Sequence, residues 1–374
     1  MSHGEMELQP SISEYAKYIK TLMPVNIPKD YALKPMFKDI ASEQNIRNGV
    51  VAFRDFLHLF CDCLVSNGDV YCKPKKTKNP DSYPFLHNMN DLLIDMGYHG
   101  ELAEDGHTLS VTKLPSCTAS VDEKGKKTGP KISFSGQMEC LRFLSLCGFV
   151  FAGVDLEAKA FHIVQVQKLE ISYPNNPSVL MGLKALSVAD IDLRMRRYIG
   201  DDNLLRCDYR LMKTDATDIL DILKDLIHPL PEKIQKFALE LHRRYTDMGM
   251  VCSTNVSTVN PRIAYSCVKN SRRDLSNLEM FQRRIWEFDL SMKYEYCLMV
   301  RAKKADQYAD VIETFPLYLQ EKIAQGYGCD RKLHNEPCQK GCLGLRIPLD
   351  DAIVEMKGDI ETWLDHEVPC SIKK

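Results

Sequence analysis

The sequence predicts an α+β fold: a helical N-terminal lead-in, then helix and β-hairpin units, then a C-terminal antiparallel sheet packed by helices. Three observations carry that expectation. Apolar residues recur at three- and four-residue steps over long stretches. Three amphipathic segments end near a Gly and lead directly into extended apolar segments. Toward the C-terminus, segments read as strands precede segments read as helices, an order that suits a sheet with helices on one side.

From Glu14 to about Cys72 the pattern is helical, most clearly at Val51, Phe53, Phe56, Leu57, Phe60, Cys61 and Leu64. Tyr71 to Pro84 then carries Lys73, Lys75, Lys76 and Lys78 among prolines, the composition of an exposed connection. Residues 1–80 are therefore read as a helical N-terminal region, and residues 81–212 as an α+β domain of helix and hairpin units.

Within that domain and beyond, one theme recurs. Leu86 to Met96 leads to Gly97 and then to Glu101–Val111, with Asp105-Gly106 as a hairpin turn. Gln137 to Cys147 leads to Gly148 and Phe149–Leu156, and Pro231 to Met248 leads to Gly249 and Met250. Each Gly sits where a left-handed helix C-cap would want it. The plainer account is that a Gly simply closes many helices.

Leu169 to Tyr173 reads as extended, Ser178 to Arg197 as a helix, Leu204 to Leu211 as a short strand, and Asp215 to Ile227 as a helix. Residues 230–374 form the last expected domain. There Ile234, Phe237, Ala238, Leu241, Tyr245 and Met248 make one apolar stripe. Strands are expected at Arg262–Val268, Arg284–Leu290 and Tyr294–Ala302. The last of these is apolar on both faces, as a central strand would be. Helices follow at Ala305–Glu313, Pro316–Gln325 and Asp350–His366, with Asp350 as an N-cap.

The sharpest feature lies between the last two helices. Cys329, His334, Cys338 and Cys342 crowd into a Gly- and Pro-punctuated loop, and thiolate and imidazole are the ligands of a structural zinc site. Their spacing has no C-x2-C step, so the competing account is three small buried hydrophobes in a reduced protein.

The net charge of -2 gives no global field that would draw the 374-residue chain onto a polyanion. Its first residues are polar and acidic and show no leader. A cytoplasmic location is expected, with the fourteen cysteines free or metal-bound. The longest apolar stretch, Leu141–Val154, is too short and too interrupted to span a bilayer, so no membrane partner is expected.

No nucleotide-binding, metalloprotease or nucleophile-elbow motif occurs. His58, Cys61 and Asp62 lie within one helical turn or so, yet Cys61 falls on the apolar stripe, so a non-enzymatic role is favoured. The alternative to a ligand- or protein-binding module is a winged-helix-like transcriptional regulator. It rests on the helix-hairpin order and on basic clusters at Lys73–Lys78, Lys124–Lys127, Arg194–Arg197, Arg272-Arg273 and Arg283-Arg284. Against it, the first two candidate reading helices carry almost no cations. Tyr83, Tyr98, Tyr173, Tyr209, Tyr265, Tyr294, Tyr296, Tyr308, Tyr318 and Tyr327 are candidate walls for a small-molecule cleft.

Overall fold

The structure, a computed structural model, describes residues 12–71, 84–121, 125–166, 168–195, 203–215, 218–254, 262–267, 276–284, 292–302, 304–326 and 345–372. The fold is α+β. It forms two compact units, the first from Met1–Thr217 with Ile285–Met292 and the second from Asp218–Arg284 with Lys293–Lys374. The connection expected near residue 80 falls on residues 72–83, outside the described residues.

The N-terminal unit opens with three helices: α1 (Ile12–Leu22), α2 (Glu43–Ser66) and the short α3 (Gly68–Tyr71). Ser42 starts α2 as its N-cap, accepting a hydrogen bond from the Asn45 N–H at 3.3 Å and so satisfying one of the helix's orphan donors. Most of the predicted stripe is buried: Phe53, Phe56, Leu57, Phe60, Cys61 and Leu64 are inside, and Val51 is half-buried. Two helix-hairpin copies follow. The first is α4 (Pro84–His99), β1 (Glu101–Leu102) and β2 (Leu109–Val111), and a small β3–β4 hairpin (Ser120–Val121, Lys127–Thr128) comes after it. The second is α5 (Phe134–Leu146), β5 (Val150–Ala152), the short α6 (Ile163–Val166) and β6 (Leu169–Ser172). Their strands join in one antiparallel sheet of order β1-β2-β6-β5, with β2 of one copy paired to β6 of the other, Leu109 opposite Ile171.

The helix α7 (Ser178–Arg194) packs against both α2 and α4. Missing side chains make these crossings close. A Cβ added to Gly182 would lie 2.0 Å from the Gly49 carbonyl oxygen, and one added to Gly97 would lie 2.2 Å from Ser187 Oγ. Gly97 therefore does not end its helix as expected; α4 runs on to His99, and Gly97 is kept bare by α7. The other two caps are left-handed as predicted, with φ of 101° at Gly148 and 78° at Gly249.

Leu204–Leu211 is not a strand. It folds as two 3-10 turns, Leu204–Arg206 and Tyr209–Met212, joined at Cys207, whose φ is 50°. Side chains, not a sheet partner, meet part of its backbone: Asn90 Oδ1 accepts the Leu204 N–H at 3.0 Å and Asp208 Oδ1 accepts the Arg210 N–H at 3.2 Å.

In the C-terminal unit, α8 (Ile219–Ile227, capped by Asp218) and α9 (Glu232–Asp247) precede β7 (Val251–Thr254) and β8 (Arg262–Ser266), the third helix-hairpin copy. β9 (Ser276–Arg284) and β10 (Met292–Val300) come next. The strand expected at Arg284–Leu290 lies, past Arg284, outside the described residues. Four further α-helices and one strand follow among the described residues: α10 (Ala309–Ile312), α11 (Leu317–Gly326), β11 (Leu345–Pro348), α12 (Asp351–Glu355) and α13 (Lys357–Ile372). Asp350 caps α12, accepting from the Ile353 N–H at 3.2 Å.

The sheet order is β11-β10-β9-β8-β7. β10 is thus internal but one place from the edge, with both faces buried: Leu298 and Val300 on one side, Cys297 and Met299 on the other. One core joins Tyr265, Leu298 and Ile347 of the sheet to Phe237 and Tyr245 of α9, Ile323 of α11 and Trp363 of α13. Each such fully buried large side chain contributes roughly 1.5–3 kcal/mol through its removal from water. No helix among the described residues is long and apolar enough to cross a membrane.

Candidate functional site

All four predicted metal ligands, Cys329, His334, Cys338 and Cys342, lie outside the described residues. Their attachment is described. α11 ends at Gly326, β11 begins at Leu345, and the two elements pack together. β11 pairs antiparallel with β10, Ile347 opposite Leu298, and its Leu345 and Ile347 belong to the core with Leu319 and Ile323 of α11. Both ends of the loop are therefore rooted in the same hydrophobic cluster. Among the described residues no group of three or more His, Cys, Asp or Glu is arranged to hold a metal, and none of the ten described cysteines is in a disulfide.

A groove runs between α9 and α13 in this unit. It has a volume of about 350 Å³ and is lined by Glu240, Arg243, Arg244, Asp247 and Met248 from α9 and its end, and by Lys357, Glu361 and Asp365 from α13. Its charges alternate in sign and many are paired across it. Lys357 Nζ donates to Glu240 Oε2 at 2.6 Å, Arg244 donates to Asp365, and Arg244 lies 3.9 Å from Glu361. The Lys357 hydrogen bond holds the Glu240 carboxyl below its ordinary range. At the other end of α9, Lys233 pairs with Asp351 of α12 at 2.7 Å.

Those pairs bear on nucleic-acid recognition. α8, α9 and the β7–β8 hairpin follow the order of a helix-turn-helix with a wing, and α9 is the most basic of the three repeated helices. Yet Lys233 and Arg244 are engaged by carboxylates of α12 and α13, which would compete with phosphate. Elsewhere, Arg194 pairs with the buried Asp190. The clusters at Lys73–Lys78 and Arg272-Arg273 lie outside the described residues.

His58, Cys61 and Asp62 do not come together as a catalytic group. Cys61 is buried in the core and burial pushes its thiol up to about 12, while Asp62 turns outward to Lys20 at 2.7 Å. Desolvation, followed by the Lys20 and Arg54 charges, lowers the His58 imidazole. Of the tyrosines read as cleft walls, Tyr173, Tyr209, Tyr265 and Tyr308 are buried, Tyr296 is half-buried, Tyr98 and Tyr318 are exposed, and Tyr83 and Tyr327 lie outside the described residues. Tyr265 stacks on Tyr245 with ring centroids 4.2 Å apart, and its hydroxyl meets His242 Nδ1 at 3.1 Å.

Sequence reasoning missed the buried acids. Asp95 accepts the Ser116 N–H at 2.7 Å, and burial pushes its carboxyl up to about 6. Asp190 accepts from Arg194 and from Asn203 Nδ2, the latter at 2.9 Å, and Asn90 and Arg206 are buried as well. Glu367 in the C-terminal unit accepts from the Tyr308 hydroxyl and the Lys304 N–H. Periodicity could have flagged Asp190, which falls on the inward face of α7, but nothing local announces its partners.

No protein-family model, no curated protein and no solved structure matches the chain.

Proposed function

We propose that the protein works by binding rather than by catalysis. The α9–α13 groove takes a polar, mixed-charge segment of a protein partner, and the Cys329–Cys342 loop clasps the same unit with one structural zinc in a cytoplasmic setting. The groove's lining is the observation that supports this reading. Small-molecule sites are mostly apolar with a few polar anchors. Here seven of the eight lining residues are charged and of both signs, a composition suited to exchanging salt bridges with another protein surface. The rooting of both loop ends in the core supports a clasp: a metal bridging the loop would fix α11 and β11 to each other.

The test places a photo-crosslinking side chain at Arg243, which is exposed. The partner captured by the full chain is identified and its affinity measured by calorimetry. Lys357→Glu with Arg244→Glu is expected to weaken that complex at least tenfold, and the residual binding to lose its salt dependence. Unchanged affinity in the reversed variant refutes the groove. Retention of the wild-type chain on a polyanion matrix at low salt would favour the transcriptional-regulator reading instead.

The clasp has a separate readout. Elemental analysis is expected to give one zinc per chain, absent in Cys338→Ser, and chelator is expected to lower the melting temperature of the wild type only. A metal-free wild type with the same melt as the variant removes zinc from the proposal without touching the groove.

A further inference from the structure

Two Asn-Gly steps occur in the chain, Asn48-Gly49 inside α2 and Asn67-Gly68 at its end. At such a step the backbone nitrogen of the second residue can attack the side-chain amide carbon of the first, and glycine, having no Cβ, leaves the approach open. The fold decides whether nitrogen and amide are free to meet.

At Asn48 neither is free. The residue lies in the second turn of α2, where the Gly49 N–H belongs to the helix ladder, and its Oδ1 accepts from Gln44 Nε2 at 2.9 Å. Gly49 is buried against α7, so closely that a Cβ there would meet the Gly182 nitrogen at 2.7 Å. Reaction at this step requires α2 and α7 to part.

Asn67 stands where the ladder stops. Its own N–H makes a closing bond of α2, to the Cys63 carbonyl at 3.0 Å, and its backbone has left the helical region, with φ of -121° and ψ of 22°. Gly68 is the first residue of the short α3, a position whose N–H has no partner within its helix. The amide is held by a hydrogen bond from Nδ2 to the same Cys63 carbonyl, at 2.7 Å. Water reaches the junction, since Asn67 is half-buried, Ser66 is exposed and Val70 is 60% exposed.

We propose that Asn67 is a modification site, at which slow deamidation with water as co-reactant turns the C-cap of α2 into a charged residue. The Gly68 nitrogen bonds to Asn67 Cγ and gives up its proton. The Cγ–Nδ2 bond breaks, and ammonia leaves with that proton. Water then opens the cyclic imide at either carbonyl, returning a proton to nitrogen and leaving aspartate or isoaspartate, so no oxidant or reductant is needed. Either product replaces the donor to Cys63 by a carboxylate beside the negative end of α2. Isoaspartate also lengthens the main chain by one carbon just before Gly68, where a Cβ would already meet Ser13 Oγ at 2.2 Å. The added length displaces α3, and with it Tyr71, whose ring lies 4.7 Å from Phe85 and 4.9 Å from Phe143.

The test ages the full chain in mildly alkaline buffer at physiological temperature and maps its peptides by mass spectrometry. An isoaspartyl methyltransferase with labelled S-adenosylmethionine marks isoaspartate. The Asn67 peptide is expected to show the amide-to-acid mass change and to take the label at least tenfold faster than the Asn48 peptide, because only the helix interior must open first. In guanidinium chloride, with the fold gone, the two rates are expected to converge. Asn67→Gln is expected to take no label at that position, and Asn67→Asp to melt below the wild type. An unmodified Asn67, equal rates at the two steps in the folded chain, or an Asn67→Asp variant that melts like the wild type would each overturn the proposal.

Discussion

Asp95 in the N-terminal unit and Glu240 in the C-terminal unit are carboxylates displaced in opposite directions. Asp95 lies against the Ser116 backbone under α4, where loss of water outweighs the two hydrogen bonds from Ser116 and pushes its carboxyl up to about 6. Glu240 sits on the rim of the α9–α13 groove, where the hydrogen bond from Lys357 outweighs a small desolvation and holds the carboxyl down. The difference is one of solvent, not of partner number. An acid taken into a dry site favours its neutral form even when its oxygens are satisfied, whereas an acid left in water needs one well-placed cation to favour its charge. The same contrast divides other charges of the two units. The N-terminal unit folds Asp190, Arg206 and Asp208 inward, and the C-terminal unit lays Arg244, Lys357, Glu361 and Asp365 along an open groove, with Glu367 as its buried exception.

Two substitutions probe that contrast, the larger effect first. Asp95→Asn keeps an oxygen to accept the Ser116 N–H and removes the ionisation. Because the native carboxyl of Asp95 titrates near 6 and the unfolded one near 3.8, the wild type's contribution from this group is complete below about pH 4 and is lost as pH rises through about 6. The shift of about two pH units corresponds to about 3 kcal/mol. Urea denaturation of the asparagine variant is therefore expected to match the wild type at pH 4 and to show a gain approaching about 3 kcal/mol at pH 8. A constant difference across pH would mean that Asp95 is ionised in the folded protein at acid pH as well.

Lys357→Ala removes the cation from Glu240 and is expected to cost under about 1 kcal/mol at low ionic strength, since exposed pairs are worth little. The loss should shrink to nothing in about 1 M salt, where the screening length is about 3 Å. It should also disappear as pH falls and Glu240 becomes protonated. A loss that persists in high salt would show that Lys357 matters through its aliphatic stem instead, and the groove rim would then resemble the N-terminal core more than its charges suggest.

Local pattern made much of the fold legible. The stripes of α2 and α9, the caps at Asp350, Gly148 and Gly249, and the recurrence of helix, Gly and hairpin all depend on residues within a few positions of one another. The misreadings share a cause. Gly97 resembled a cap because it ends an apolar period, but α7 needed its bare surface. Leu204–Leu211 resembled a strand because it alternates, but Asn90, 114 positions away from Leu204, claims its first N–H. β11 is four residues long and announces itself only through its pairing with β10. As for the candidate sites, the zinc ligands were read from residue type and spacing, while the groove could not be read at all. The groove needs α9 and α13, more than a hundred residues apart, to face each other.

By itself, then, the sequence determined the α+β class, the repeated helix-hairpin unit and the faces its helices bury, because helix period, strand period and Gly backbone freedom act over a handful of residues. Only the tertiary structure decided that β2 and β6 join two copies into one sheet, and that glycines of α2, α4 and α7 permit the helix crossings. Those outcomes depend on register and side-chain volume summed over distant segments, and no local window of residues carries that information.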